Sequence, residues 1–217
     1  MDAQSALTAS LVHVARALFL AAAALAAAPS ARAIEEPAYD VLRTLDERVE
    51  LRRYAPYVVA EVQVAGPAEE AGNRAFPILA GYIFGRNKGQ RTLEMTAPVT
   101  QAAAPVKLEM TAPVTQAPVD GGFIVQFVLP RSVTLETAPL PLDERVKLRE
   151  VPATRVAAIR YSGFWSQANY DEHLARLQSA LRAAGQAWVG EPVYARYNAP
   201  ITPWFLRRNE IWLVLQE

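Results

Sequence analysis

From Val49 onward the chain sets short apolar, β-branched runs beside two longer stretches with apolar residues spaced three and four apart. Two of the short runs match at a constant offset of 97 residues: VELRRYAPYVVAEVQV from Val49 and VKLREVPATRVAAIRY from Val146. Leu51 meets Leu148, Arg52 meets Arg149 and Val59 meets Val156. Each run predicts two strands broken by a turn, at Ala55-Pro56 or Pro152-Ala153. A helical pattern follows each run, over Ala68 to about Ile83 and over Ser166 to Ala184. In the second, Tyr170, Leu174, Leu177, Leu181 and Ala184 make one apolar stripe, and Gly185 is a natural stop. In the first, Pro77 is expected to kink or divide the helix. Apolar strands over Phe123–Leu129 and Asn209–Leu215 close the halves, and the proline-bearing segment 135–143 reads as the linker. The pattern describes an internally duplicated α+β body, with an antiparallel sheet curved around a pocket and two helices outside it.

One nine-residue phrase, LEMTAPVTQ, occurs twice, from Leu93 to Gln101 and from Leu108 to Gln116. Its strict alternation predicts a strand in each copy. Antiparallel pairing about the connector 102–107 places Met95 opposite Val114 and Val99 opposite Met110, with both methionines on one apolar face. Pro98 and Pro113 cannot donate to a ladder, so these strands are expected at an edge, at a bulge or at a bend beside a cleft.

Ahead of the duplicated body, Arg16, the apolar run from Ala17 to Ala28 and Ala31-Arg32-Ala33 carry the marks of an export signal, with cleavage expected after Ala33. The run is short for a membrane span, although an uncleaved amino-terminal anchor is the competing reading. Residues 34–217 are then a single soluble, exported domain, periplasmic in a bacterium, with no stable membrane span. Loss of Arg16, Arg32 and Asp2 leaves 20 basic and 21 acidic residues, a near-neutral surface that argues against nucleic-acid binding. The chain has no cysteine, which excludes disulfides, thiolate metal sites and cysteine nucleophiles.

Few residues carry candidate chemistry. His173 is the one histidine after the leader, at the border of the second helix's apolar stripe, where it can serve as an axial iron ligand or as a structural imidazole. Met95 and Met110 can pack on a flat aromatic ligand, Met95 being the better placed to border a cleft and Met110 to fill a core. Arg74, Arg86 and Lys88 flank the first helix and the loop after it, where they can meet acidic groups of a ligand or simply face water. No serine sits in a G-x-S-x-G elbow. The segment Ala199-Pro200-Ile201-Thr202-Pro203-Trp204-Phe205 either lines a pocket or locks the terminal strand.

Together the phrases RRYAPYVVAEV, AGYIFGRNK, MTAPV, FVLP, LREVPATRVAAIRYSG, GEPVYARYN and TPWFLRRNE resemble the SOUL haem-binding family over essentially the whole chain from Tyr39. The resemblance implies a distorted antiparallel β-barrel with two flanking helices, built from pseudo-symmetric halves at about 39–130 and 144–217. It implies a non-enzymatic protein holding haem or another tetrapyrrole reversibly in an apolar cleft. Carried onto this sequence, the cleft selects Arg74, Ile78, Tyr82, Arg86, Lys88 and Met95. The family's proposed ligand histidine has no counterpart in the first half, so iron ligation rests on His173. Ile201 stands where relatives often place a tryptophan. Two rivals remain: a domain that binds or hydrolyses a small apolar molecule, like the effector-binding domains of bacterial regulators, and an envelope protein that acts through a partner and keeps a vestigial pocket. A glutamate facing the cleft would favour the first, and a cleft filled by the protein's own side chains the second.

Overall fold

The computed structural model describes residues 34–89 and 105–216. The expected leader, the first LEMTAPVTQ copy and Met95 lie outside these residues, and with them the expected pairing of the two copies. In chain order the elements are β1 (Tyr39–Thr44), β2 (Val49–Tyr54), β3 (Tyr57–Val64), α1 (Ala68–Ile83), β4 (Val114–Val119) and β5 (Gly122–Val128). They continue with β6 (Lys147–Val151), β7 (Thr154–Tyr161), α2 (Gln167–Ala183), β8 (Trp188–Arg196) and β9 (Asn209–Leu215). A single turn of 3₁₀ helix, Trp204–Leu206, precedes β9.

The strands form one antiparallel sheet in the order β1-β2-β7-β9-β8-β4-β5-β3-β6. No ladder joins β1 to β6, so among the described residues the sheet is open where the resemblance implied a closed barrel. The terminal strands each pair on one edge only, and β1 is exposed along nearly its whole length. The 97-residue offset appears in space, since β3 and β7 begin and end 97 positions apart. It also reveals an exchange. β2 and β3 are separated by two residues yet do not pair: β2 joins β7 of the second half, while β6 of the second half joins β3 of the first.

Alternation along the strands divides the core between the two faces of the sheet. On one face α1 packs over β3 and β5 through Ala71, Ala75, Leu79 and Ile83 against Val58, Ala60, Val125 and Phe127. On the same face α2 packs Tyr170, Leu177 and Leu181 onto Ala157, Ile159, Ile211 and Leu213. The intervening residues Val156, Ala158 and Trp212 join Tyr54, Ala195 and Tyr197 on the opposite face. Both helices match their expected spans closely. Ser166 caps α2 by accepting from the Asn169 amide at 3.4 Å, and Gly185, at φ 65°, ends it. The expected break at Pro77 does not occur, because α1 runs through it to Ile83. The missing amide is on an exposed face, where water can satisfy the carbonyl of Asn73.

Of the second LEMTAPVTQ copy, only the part from Val114 is strand. Ahead of Pro113 the backbone bonds elsewhere: Leu108 N–H to the carbonyl of Ile83 at the end of α1, and Ala112 N–H to that of Glu35, both at 2.8–2.9 Å. Two anchored apolar residues, Leu108 and Ala112, thus replace the ladder. β4 itself is central, between β5 and β8, and Pro118 lies beyond the stretch that β8 covers.

The opposite face also holds a buried ionic centre. Glu210, fully enclosed, accepts from Arg52 Nη1 (2.7 Å), Arg208 Nη2 (2.9 Å), Tyr197 Oη (3.0 Å) and Trp212 Nε1 (2.8 Å). Burial pushes its pKa up, but the two guanidiniums and the indole N–H outweigh that and hold the carboxyl below its usual range. Among the described residues no helix is long and apolar enough to cross a membrane.

Candidate functional site

Even-numbered residues of β8 face the helices, and this places Arg196 directly after Tyr194 on the side where α1 and α2 meet. The residue is 7% exposed. Nη2 donates to Tyr170 Oη at 2.7 Å and to the Ala68 carbonyl at 3.2 Å, tying β8 to both helices. Nε is buried without a hydrogen-bond partner. The Tyr170 hydroxyl, pushed upward in pKa by burial in spite of Arg196, remains a neutral acceptor. The Arg196 guanidinium lies over the ring of Trp165 at 4.5 Å, and Arg207 covers that ring at 4.4 Å. Trp165 is further fixed by its Nε1–H to Asn209 Oδ1 at 2.8 Å. Arg207 donates only to the carbonyls of Thr202 and Pro200.

Room for Arg196 comes from a helical glycine. A Cβ on Gly72 would lie 2.6 Å from Arg196 Nη1, closer than nonbonded atoms approach. Gly72, Asn73 and Phe76 of α1, together with Ile34, Met110 to Ala112, Val114, Trp165 and residues 196–200, line a cleft of about 330 Å³. Its walls are chiefly apolar and, among the described residues, include neither a carboxylate nor an imidazole. Hollows of about 250 Å³ behind Glu35–Ala38 and about 530 Å³ over Arg53, Arg155 and Val214 are lined by no buried charge.

The residues nominated from the resemblance do not come together here. Arg74 pairs with Glu70 one turn earlier at 2.5 Å and also bonds the Ala65 carbonyl. Ile78 packs against the core under α1, and Tyr82 is buried, its hydroxyl donating to the Pro139 carbonyl at 2.9 Å. Arg86 and Lys88 are exposed on a loop that is clamped to the linker. Buried Asn87 bonds the backbone of Tyr82, Gly89 and Val106, and the Lys88 amide donates to the Leu140 carbonyl. His173 is buried in the packing of α2, stacked on Tyr161 with ring centroids 4.3 Å apart, and Nδ1–H donates to the Asn169 carbonyl at 2.8 Å. It is not part of the cleft lining. Among the described residues no group of three or more His, Asp or Glu side chains could hold a metal ion.

The cleft and the nominated residues lie on opposite flanks of α1. Successive residues turn about 100°, so Arg74 and Ile78 lie on one side of the buried stripe, Gly72 and Phe76 on the other. Met110, expected as packing, is 36% exposed at the cleft wall. Arg196 was missed altogether. The available signal was an arginine on the helix-facing register of β8, beside a glycine in a helix where alanine would be more stable.

Comparison with known proteins follows the same lines. A family described as SOUL heme-binding protein matches residues 34–214. Heme-binding protein 1 of Mus musculus is 30% identical over 149 residues, covering 68% of this chain and 73% of its own. Heme-binding protein 2 of Homo sapiens is 27% identical over 191 residues, covering 85% and 88%. Among solved structures, a hydrolase from Listeria innocua aligns with a TM-score of 0.55 at 12% identity, over 79% of this chain and 93% of that one. The EcmrR C-terminal domain aligns with a TM-score of 0.53 at 11% identity, over 78% and 98%. At such identities the structural likeness establishes the fold alone.

Proposed function

Because the chain belongs to the SOUL heme-binding protein family, we propose that it binds haem or a related tetrapyrrole reversibly in the cleft beside α1, without catalysing a reaction. The observation that carries the reading is the lining: Ile34, Phe76, Met110, Val114, Trp165 and Pro200 offer flat and flexible apolar contact to a planar ligand. At about 330 Å³ the cleft is at the small end of ligand sites, suited to an edge or one face of a macrocycle rather than to full enclosure. Bound haem would supply a redox-active iron; the protein's own groups would hold and orient one edge or face of it. The cleft wall holds no imidazole, which supports binding with little or no iron coordination, and Met110 Sδ is the soft donor nearest to such a role. Among the described residues the lining has neither a carboxylate nor an acid–base pair, which counts against the hydrolytic alternative.

We further place the mature protein outside the cytoplasm, a reading that rests on the amino-terminal sequence pattern alone. The binding test is a hemin titration followed at the Soret band. Saturation at one equivalent is expected, and a featureless, non-saturating rise like that of nonspecific apolar binders would overturn the proposal.

A further inference from the structure

We infer that Arg196 is a carboxylate anchor, so that the cleft selects ligands by an acidic group on an apolar body rather than by a metal. This deepens the tetrapyrrole reading and rests on the same cleft, but it makes a separate claim about what is recognised.

Two buried arginines, Arg52 and Arg196, and the half-buried Arg208 show why. Arg52 is matched by Glu50 and Glu210, and Arg208 by Glu36 and Glu210. Arg196 is as enclosed as Arg52, yet among the described residues no carboxylate pairs with it, and one of its donors has no partner at all. Burying an uncompensated charge costs several kcal/mol. Its neighbours only soften that cost: a neutral phenol, one carbonyl and the face of Trp165. Arg207, over the same ring, adds a second guanidinium that, among the described residues, bonds carbonyls and no carboxylate. The result is an apolar cleft bordered by positive charge that no carboxylate of the described residues balances. A ligand carboxylate in the cleft that Arg196 lines supplies the missing counter-charge. Gly72 fits the same account, since a helix interior tolerates glycine at a cost and this one leaves the space that the guanidinium occupies.

The ligand class is therefore a planar or elongated apolar acid, with metal-free and metal-bearing tetrapyrroles as equal members. The experiment compares acids with their esters on the unaltered protein, following quenching of tryptophan fluorescence. One pair is protoporphyrin IX and its dimethyl ester, the other pyrenebutyric acid and its methyl ester. A charge-assisted hydrogen bond predicts that each ester binds about 10- to 100-fold more weakly than its acid. In Arg196→Gln that ratio should fall towards one, and in Arg196→Lys it should survive in part. If acid and ester bind alike, the inference is overturned while saturable porphyrin binding would leave the tetrapyrrole reading standing. If the porphyrin does not bind but pyrenebutyric acid does, with the ester penalty, the inference holds and the tetrapyrrole reading falls. Binding of neither acid refutes both. An Arg196→Gln protein that folds and retains the full ester penalty also refutes the anchor. The comparison on the unaltered protein decides the matter even where that variant does not fold.

Discussion

Gly72→Ala separates the stability of the protein from its site. Alanine in a helix interior is favoured over glycine by up to about 1 kcal/mol. Here the added Cβ would meet Arg196 Nη1 at 2.6 Å, with Cζ at 3.6 Å and Gln116 Oε1 at 3.7 Å. The guanidinium must withdraw by about 1 Å to restore ordinary contact. Its bonds to Tyr170 Oη (2.7 Å) and the Ala68 carbonyl (3.2 Å) cannot both survive that movement. Losing one hydrogen bond to a charged group costs about 1.5–3 kcal/mol, so the net change is about 0.5–2 kcal/mol of destabilisation. Chemical denaturation should show a cooperative transition shifted by that small amount, while a protoporphyrin titration should show affinity reduced about tenfold. A variant that gains the full helix-propensity increment and binds as before would show that the packing of Gly72 against Arg196 does not position the guanidinium.

The remaining predictions concern groups outside the cleft. Glu210→Gln removes the counter-charge of two guanidiniums, one of them 4% exposed, and should cost about 3–5 kcal/mol by denaturant titration; a loss below about 1 kcal/mol would contradict the role given to that centre. Because its folded-state pKa lies below the unfolded value, Glu210 contributes stability that is present above the usual carboxylate range and is lost as pH falls through the depressed value. Thermal scans between pH 7 and pH 3 should thus fall more steeply for the natural protein than for Glu210→Gln, and parallel curves would refute this. His173→Ala should lower stability by about 1–3 kcal/mol through loss of the stack on Tyr161 while leaving the hemin spectrum unchanged. A displaced Soret band in that variant would restore His173 as an iron ligand.

What could be read from residues alone was whatever depends on periodicity. The paired runs from Val49 and Val146, the stripe on α2 and the strand Asn209–Leu215 follow directly from spacing, because burial on one face leaves a regular trace. The same reasoning placed all of the second LEMTAPVTQ copy in a strand, since alternation does not record that Leu108 and Ala112 bond to Ile83 and Glu35. The site was harder. Arg74, Arg86 and Lys88 are charges on or next to α1, but one is paired and two face water. A buried arginine reads like an exposed one until the other strands supply the register that turns it inward. Pairing partners are equally invisible, because a strand that folds back on its neighbour and one that crosses to the other half share a pattern.

That crossing limits how such a body can have arisen and how it can fold. Each half sends one strand, β2 or β6, into the other half, and contacts such as Val49 with Ile159 bridge about 110 residues. A half standing alone would present an unpaired edge and lack a neighbour for its own excluded strand. If the halves descend from one duplicated unit, its ancestor was therefore stable only as a pair of chains trading arms, and fusion made that trade internal. In the present chain each half completes its part of the sheet with a strand of the other. Folding must await long-range closure and proceeds as one slow, cooperative event.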